Sequence, residues 1–288
     1  MGSRGRRHAG RDRTARPTAV TTLSIIIVSF NARGDLRRCL DSLRSAPPAI
    51  NHHVVVVDNA STDGTVAVLR SHYAHVPVIV LPKNVGFAAA NNAGIRATTG
   101  DFILLLNGDT IVPAGAIDRL VGRLEATPDA AVAGPRLVDA EGRPELSWGR
   151  MIGPVAEARQ KLTMALYARG WTPVARRVEA AARKERFVDW VSGACLLVRR
   201  PDAEAAGLLD ERFFLYTEDV DFCASLRARG RRILFTPAAD VVHLRGRSRA
   251  SAPAESAAAY RRSQLAFYEK HHPGWVWLLK LYLGLRGG

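Results

Sequence analysis

Four apolar runs, each followed by a segment with helical periodicity, dominate the first 126 residues of this chain. They are rich in β-branched residues and lie at Leu23–Phe30, Val54–Val57, Val78–Leu81 and Phe102–Leu106. The helix after the fourth run is predicted to begin at Pro113 and to reach about Ala126. Runs that are apolar throughout indicate strands that helices cover on both faces. Four strand–helix units in succession predict an α/β protein with a mostly parallel, Rossmann-like sheet and right-handed crossovers.

The periodicity weakens after residue 126, and the predicted elements become shorter. We predict a strand at Ala130–Val138, a turn at Asp139–Gly142 and two helices within the basic segment 150–186. Ordered structure is expected to return at Phe187–Val198. Later elements are predicted from Pro201 (helix), and at Glu218–Arg229 (helix), Arg232–Phe235 and Val241–His243 (short strands), and Ala254–His271 (helix). We divide the chain into a disordered basic tail (1–21), one domain (22–250) and C-terminal helices (251–288).

Composition bounds the classes of function. The net charge is +14, and residues 1–16 hold only six Arg against one Asp, so the body of the chain is basic as well. This excess suits a polyanionic substrate, an anionic membrane surface or nucleic acid. The three cysteines are widely spaced and form no CxxC pair, and no apolar run precedes Val20. We therefore expect no zinc site, disulfide framework or secretory signal, and a cytoplasmic location.

Two carboxylates follow predicted strands directly. Asp109 lies in the Asn107–Gly108–Asp109 turn after Phe102–Leu106, and Asp58 ends the run Val54–Val57. Ligands of open α/β sheets bind at this edge, where Asp109 suits Mg²⁺ or Mn²⁺ carried by a diphosphate. Asp58 can accept a hydrogen bond from a pyrimidine N–H or a ribose hydroxyl. An ordinary helix-capping turn is the alternative, and the motif around Asp109 taken by itself favours it.

Other nucleotide-binding signatures are missing from the sequence. No GxGxxG follows the first strand and no GxxxxGK[ST] occurs, which disfavours a dinucleotide enzyme and a P-loop NTPase.

Two further groups can carry chemistry. Glu218, Asp219 and Asp221 open a predicted helix, where acids are favoured by the helix dipole or where one of them serves as a general base. His243 ends a predicted strand, and basic residues follow it. It is either a structural side chain or a second metal ligand beside Asp109, with Arg245 or Arg247 near a diphosphate.

Seven segments occur in the order found in family 2 glycosyltransferases, which the chain resembles over about residues 22–272. The strongest likeness is to bacterial rhamnosyltransferases of cell-wall or O-antigen polysaccharide synthesis. The segments are Ser29–Phe30–Asn31, VVVVDNASTDGT (54–65), KNVGFAAANNAG (83–94), LLLNGDT (104–110), WVSGACLLVRR (190–200), FFLYTEDVDFC (213–223) and HLRGRS (243–248).

The resemblance implies a GT-A fold, a nucleotide-diphosphate sugar donor such as a dTDP- or UDP-sugar, Mg²⁺ or Mn²⁺, and inversion at the anomeric carbon. It makes Asp219 the catalytic base and Asp109 and His243 the metal ligands. The implied donor-nucleotide residues are Ser29, Asn31, Asp58, Asn59, Lys83, Asn84, Gly86, Asn91 and Asn107. The implied acceptor or phosphate residues are Trp190, Gly193, Glu218, Arg245 and Arg247.

The chain departs from the family pattern in the metal-binding loop. Asn107 stands where a strict DxD has Asp, which leaves one fewer anionic contact for a metal.

The resemblance also implies a division of the domain into two halves and a class of acceptor substrate. We expect a donor-binding half (22–138), an acceptor half (139–250) with a variable helical insert (150–186), and a glycan or polyprenyl-diphosphate-linked acceptor. Residues 274–286 are apolar and aromatic but too short to span a bilayer, so they either lie at an anionic membrane surface, pack on the body or form a dimer contact. The alternative function is a non-catalytic protein that binds a nucleotide sugar or nucleic acid. No RNP-like, helix-turn-helix or zinc signature supports nucleic-acid binding.

Overall fold

The computed structural model describes residues 21–244 and 253–286. The predicted tail, apart from Thr21, and the predicted phosphate contacts Arg245 and Arg247 lie outside these described residues. The strands are β1 (Thr22–Ser29), β2 (Asn51–Asp58), β3 (Val78–Val80), β4 (Phe102–Asn107), β5 (Thr110–Ile111), β6 (Ala130–Val138), β7 (Trp148–Gly149), β8 (Arg186–Val188), β9 (Trp190–Val191), β10 (Cys195–Arg199) and β11 (Arg232–His243). The helices are α1 (Arg33–Ser45), α2 (Thr65–His72), α3 (Phe87–Arg96), α4 (Ala116–Glu125), α5 (Pro154–Ala168), α6 (Thr172–Ala182), α7 (Arg200–Ala205), α8 (Glu218–Ala228), α9 (Pro253–His271) and α10 (Val276–Arg286).

One large sheet has the order β3-β2-β1-β4-β10-β6-β11-β5, and β8 pairs with β11. Strands β3, β2, β1 and β4 are parallel to one another, as predicted, and β11 is parallel to β6. The antiparallel strand β10 lies between β4 and β6. Consequently the carboxyl ends of β2, β1, β4, β6 and β11 share one edge of the sheet with the amino end of β10.

Helices cover both faces of the sheet, as the apolar runs predicted. In β1, Ile25 and Ile27 pack in a core with the buried face of α1, which includes Leu36 and Leu40. The alternate residue Ile26 belongs to a second core on the opposite face, together with apolar residues of α3, α8 and α9. Burial on both faces explains why these strands are apolar throughout.

Two predicted element boundaries were wrong. We predicted two short strands at 232–235 and 241–243, but β11 runs through both, with a register irregularity between Thr236 and Asp240. Pro237 lies in this irregular stretch; proline lacks the N–H that a ladder needs, so the strand bulges instead of ending. We also predicted a helix from Pro113, but α4 begins at Ala116 because Gly115 has a left-handed φ of 69°.

The C-terminal helices dock on the body through polar contacts. In α8, Asp221 is buried and accepts hydrogen bonds from Lys270 Nζ and His271 Nε2, at 2.9 Å and 2.6 Å. In α5, Glu157 accepts hydrogen bonds from Gln264 and Tyr268 of α9. The two predicted helices of segment 150–186 are confirmed as α5 and α6. Within residues 21–244 and 253–286, none of the helices combines the length and apolarity needed to cross a bilayer.

Candidate active site

Buried polar atoms line the shared sheet edge at the ends of β1, β2 and β4. Ser29 is in register with Asp58, and Val28 with Asn107, so these strand ends are neighbours. Ser29 Oγ, Asp58 Oδ1 and Asn107 Oδ1 are buried and have no hydrogen-bond partner among the described residues. Because buried polar atoms are nearly always paired in folded proteins, this group indicates a polar ligand at the edge.

The loops around these strand ends are held by asparagine side chains. Asn59 Nδ2 donates to Asn84 Oδ1 at 2.8 Å, and Asn59 Oδ1 accepts the Val85 N–H at 2.9 Å. Asn31 Oδ1 accepts the Thr62 N–H at 2.8 Å. The side chains of Asn31, Asn59 and Asn84, which the sequence predicted to bind the donor nucleotide, therefore hold loops in place.

Two further residues predicted to bind the donor nucleotide differ in exposure. Lys83 is exposed, and Asn91 is buried in α3 with Nδ2 bonded to the Phe87 carbonyl at 3.0 Å. The Asn91 Oδ1 atom has no partner among the described residues.

Gly86 joins this region to the loop that precedes α8. It has a left-handed φ of 88°, and a Cβ at this position would lie 2.4 Å from the Phe214 carbonyl oxygen. The next residue, Phe87, donates its N–H to the same oxygen at 2.6 Å. Glycine is required here both for the backbone conformation and for the close approach of the two loops.

Asp109, His243 and Glu145 meet at the end of β11. The imidazole lies between two carboxylates, with Nε2 3.3 Å from Asp109 Oδ1 and Nδ1 3.1 Å from Glu145 Oε2. Burial would lower the pKa of His243, but hydrogen bonds to Asp109 and Glu145 outweigh burial and raise the pKa from 6.5 to about 9. The ring is therefore a buried cation at neutral pH when no metal replaces its proton.

Asp109 and His243 are the pair that the sequence predicted as metal ligands, and their donor atoms suit a divalent cation. One carboxylate and one imidazole are acceptable to Mn²⁺ and, through the carboxylate, to Mg²⁺. No group of three or more His, Cys, Asp or Glu side chains in the described part of the chain is arranged to hold a metal ion. The residues present therefore fit a cation that takes two protein ligands and completes its coordination with oxygens of a ligand.

Asp219 lies at the same edge, across the amino end of β10. Its Oδ2 accepts the Gly193 N–H at 2.8 Å, and the adjacent Ala194 carbonyl accepts the Asn107 N–H at 2.9 Å. These two hydrogen bonds, together with the segments Gly193–Ala194 and Asn107–Asp109, connect Asp219 to Asp109. Of the three acids at the start of α8, Asp219 is the one that this link reaches, whereas Asp221 is bonded to the C-terminal helix α9.

Glu218 is a buried carboxyl group next to Asp219. Its Oε2 has no hydrogen-bond partner among the described residues. Burial and then the charge of Asp219 raise the pKa of Glu218 well above its usual range. Glu218 is therefore favoured as a neutral acid that can donate a hydrogen bond.

The backbone before these acids is strained. Tyr216 and Thr217 both have φ of 70°, which costs on the order of 1–3 kcal/mol for a non-glycine residue. The strain is held by neighbours, since Ser263 Oγ donates to the Leu215 carbonyl at 2.8 Å and the Asp221 N–H donates to the Thr217 carbonyl at 2.9 Å. Such strain is concentrated at functional sites.

Trp190, a predicted acceptor residue, lies in β9 three residues before Gly193. Its ring is buried, lies against Gly149 and donates Nε1–H to the Arg150 carbonyl at 2.8 Å. Ser192 donates its N–H to the Ser147 carbonyl at 2.8 Å. The segment 145–149 thus runs from His243 to Gly193 along the site.

Sequence reasoning missed Glu145. No motif contains it, and the only signal was the predicted turn at Asp139–Gly142. That turn returns the chain along β6, so that the Glu145 N–H bonds the Leu137 carbonyl at 2.9 Å and its side chain reaches the strand end.

The chain is similar to known proteins in sequence and in fold. Residues 24–199 match the family described as "Glycosyl transferase family 2". The N-acetylglucosaminyl-diphospho-decaprenol L-rhamnosyltransferase of Mycobacterium tuberculosis is 31% identical, over 92% of this chain and 89% of its own length.

Two solved structures resemble most of the fold. The mannosyltransferase PcManGT of Pyrobaculum calidifontis, in complex with GDP-Man and Mn²⁺, has a TM-score of 0.58 at 18% identity and covers 90% of this chain and 68% of its own. GalNAc-T7 with UDP, GalNAc and Mn²⁺ has a TM-score of 0.58 at 16% identity; it covers 79% of this chain, which spans 44% of that protein. At these identities the likeness concerns the fold, and the predicted GT-A arrangement is confirmed.

Proposed function

Because this chain belongs to glycosyl transferase family 2 and is a glycosyltransferase, we propose that it moves a sugar, with inversion, from a nucleotide diphosphate to a hydroxyl group. The acceptor in this proposal is a glycan or a polyprenyl-diphosphate-linked saccharide. The observation that carries the proposal is the convergence of Asp58, the Asp109–His243 pair and Asp219 on one sheet edge. Family membership disfavours the alternative of a protein that only binds a ligand.

The donor nucleotide binds, in this proposal, where Ser29, Asp58 and Asn107 carry buried oxygens without partners. An acceptor atom such as Asp58 Oδ1 suits the N–H of a uracil or thymine base, which favours a UDP- or dTDP-sugar. Residues 22–138 supply this half of the site, and residues 139–250 supply the acceptor half. Asn31, Asn59 and Asn84 act mainly by holding the loops in place.

Asp109 and His243 are the residues that would hold Mg²⁺ or Mn²⁺ beside the donor diphosphate. When bound, the cation supplies positive charge for the leaving diphosphate. A site with two protein ligands is consistent with a metal that arrives with its nucleotide, because Mg²⁺ is commonly held by one or two carboxylates and substrate phosphates. Arg245 and Arg247, which follow His243 in the sequence, are proposed to contact the same phosphates.

Asp219 takes the proton of the attacking hydroxyl group. The hydroxyl oxygen forms a bond to the anomeric carbon as the bond from that carbon to the diphosphate oxygen breaks, and the electron pair leaves with the diphosphate. The Gly193 N–H holds Asp219 Oδ2 at 2.8 Å, which fixes the carboxylate without neutralising it. Glu218, Gly193 and Trp190 form the acceptor side, where a neutral Glu218 can donate a hydrogen bond to the acceptor.

The sugar and acceptor are proposed from the mycobacterial relative. Its name assigns L-rhamnose to a diphospho-decaprenol-linked acceptor, and the likeness extends over most of both chains. We extend the same classes, a deoxyhexose donor and a lipid-diphosphate acceptor, to this chain.

A lipid-linked acceptor calls for contact with a membrane surface, and one face of the C-terminal region suits it. Trp277 and Leu281 of α10 are 66% and 56% exposed, while Leu279 on the other face is 7% exposed. Residues 150–186 hold nine Lys or Arg against three Asp or Glu, and residues 253–286 hold five against two. Lys161 of the first segment lies 5.9 Å from the ring of Tyr282 in the second. Aromatic and basic residues together favour an anionic lipid interface.

Cosedimentation with vesicles tests this surface. The protein should bind vesicles rich in phosphatidylglycerol at low salt, and a Trp277→Ser/Leu281→Ser variant should lose most of that binding. Val80→Ser, which changes an exposed apolar residue of β3, is the control and should bind normally. Absence of binding by the wild type would overturn the membrane proposal, and dimerisation lost in the same double variant would assign the face to a second copy.

Thermal unfolding with nucleotide sugars tests the proposed function as a whole. A ligand at about 100 times its Kd stabilises the folded state by about 2.7 kcal/mol. A dTDP- or UDP-sugar with Mn²⁺ should raise the melting temperature, and EDTA should remove most of the shift. Hydrolysis of that donor without acceptor would add catalytic support. If no nucleotide sugar shifts the transition, the donor proposal is wrong.

A further inference from the structure

Glu145 is placed to orient His243. Glu145 Oε2 lies 3.1 Å from Nδ1 of the imidazole, which leaves Nε2 facing Asp109 Oδ1 at 3.3 Å. From this juxtaposition we propose that Glu145 is a positioning residue, which fixes His243 so that Nε2 is the metal ligand. The inference rests on the proposed function, because it presumes that Asp109 and His243 bind a divalent cation.

The backbone of Glu145 is itself held firmly. Its N–H bonds the Leu137 carbonyl at 2.9 Å, and its carbonyl accepts the Ser147 N–H at 2.9 Å. One residue earlier, Pro144 forms a β-bridge with Val138. The carboxylate is therefore presented from a segment that is bonded to the end of β6 rather than from a free loop.

Burial of Glu145 makes the contact with His243 consequential. Both side chains are buried, and a buried carboxylate is costly unless it is hydrogen-bonded or paired. A carboxylate on the second ring nitrogen of a metal-binding histidine fixes the ring orientation and makes the first nitrogen a better ligand. Loss of such a partner typically lowers metal affinity about 10- to 100-fold.

The competing interpretation is a buried ion pair with no role beyond stability. The two interpretations differ in what a conservative variant does. Glu145→Gln keeps a hydrogen-bond acceptor for Nδ1–H but removes the charge, whereas Glu145→Ala removes both. A positioning role predicts graded losses of metal affinity in the order wild type, Gln, Ala.

The test is Mn²⁺ affinity, measured by electron paramagnetic resonance with Mn²⁺ alone and then with UDP. Glu145→Ala should bind Mn²⁺ about 10- to 100-fold more weakly than wild type, and Glu145→Gln should fall between them. Glu141→Ala is the matched control: it removes a glutamate of the same turn that is exposed and paired with Arg143, and its Mn²⁺ affinity should be unchanged.

A spectroscopic readout separates ring placement from stability. In ¹⁵N-histidine-labelled protein loaded with Zn²⁺ as a diamagnetic probe, the wild-type His243 resonances should report coordination through Nε2. Glu145→Ala should show mixed or Nδ1 coordination, with assignment by His243→Gln. If Glu145→Ala does not fold, Glu145→Gln carries the same comparison.

Three outcomes overturn the proposal: wild-type Mn²⁺ affinity in Glu145→Ala, unchanged Nε2 coordination in both variants, or no detectable Mn²⁺ binding by wild type. If Mn²⁺ binding depends on Glu145 but no nucleotide sugar stabilises the protein, only the proposed donor fails.

Discussion

The site has two sides that are built differently. On the donor side (Ser29, Asp58 and the asparagines at 31, 59 and 84), the bracing bonds join residues 25 and 31 positions apart. On the base side (Asp109, Glu145, Gly193, Asp219 and His243), the Gly193–Asp219 bond also joins residues only 26 positions apart. The Asn107–Ala194 and Glu145–His243 bonds, however, join residues 87 and 98 positions apart.

On the base side, Asp219 follows the strained residues Tyr216 and Thr217 in the chain. This side also contains His243, the one histidine among the described residues whose pKa is strongly raised. The difference teaches that segments close in the sequence can form the proposed nucleotide site, whereas the base side is brought together mainly by contacts between distant parts of the chain.

Asp219→Asn should have the largest effect, and that effect should be on catalysis at the base side and not on donor binding. We expect kcat to fall about 10²- to 10⁴-fold, the range of general-base contributions, with donor Kd unchanged. Steady-state transfer kinetics and donor titration measure the two quantities. Asp221→Asn is the control from the same helix turn; it should lower thermal stability through its bonds to Lys270 and His271 and leave kcat near normal. Near-normal turnover by Asp219→Asn would remove Asp219 from the role of base.

The pH dependence of stability should also reside on the base side. His243 has its pKa raised from 6.5 to about 9, so its stabilising contribution is full below about pH 6.5 and is lost as the pH rises through about 9. In EDTA, wild type should lose roughly 3 kcal/mol of unfolding free energy relative to His243→Gln between pH 6 and pH 10. Denaturant unfolding at each pH measures this difference, and a constant difference would contradict the paired, buried imidazolium.

Asp58→Asn should act on the donor side alone. A hydrogen bond to a charged group contributes about 1.5–3 kcal/mol, so donor Kd should rise about 10- to 100-fold while kcat at saturating donor changes little. Calorimetric titration with the donor found by thermal shift measures Kd. The control is Asp63→Asn: Asp63 accepts hydrogen bonds from the Arg33 N–H and from the N–H and hydroxyl of Thr65, so its substitution should not affect donor binding. A large fall in kcat with unchanged Kd would contradict the proposal that Asp58 acts in donor binding and not in the chemical step.

Gly86→Ala should break the separation between the two sides. A Cβ there would lie 2.4 Å from the Phe214 carbonyl, so the variant should lose roughly 1–3 kcal/mol of stability and lower kcat by moving the loop before Asp219. Gly170→Ala is the matched control, since Gly170 has a φ of 71° with nothing within 4 Å of the added Cβ. It should lose only about 1 kcal/mol, with kcat retained. Equal effects of the two substitutions would show that the loops are not coupled.

Sequence patterns predicted the donor side better than the base side. Continuous apolar runs located β1, β2 and β4 and thereby Ser29 and Asp58 of the donor side and only Asp109 of the base side, because strand burial and turn chemistry are local properties. The sequence also nominated Asp219 and His243, but it left their alternatives open. Glu145 could not be found from the sequence, because it meets His243 only when β6 pairs with β11. Pro237 interrupts the apolar pattern of β11, so the sequence predicted two short strands where the structure has one.

A crystal structure with Mn²⁺ and the nucleotide diphosphate tests the central claim most directly. The account predicts an anomalous Mn²⁺ peak bound by Asp109 and His243 Nε2, the base at Asp58 and the carboxylate of Asp219 facing the space beyond the diphosphate. A nucleotide bound at another edge, or Mn²⁺ held without Asp109 and His243, would contradict it.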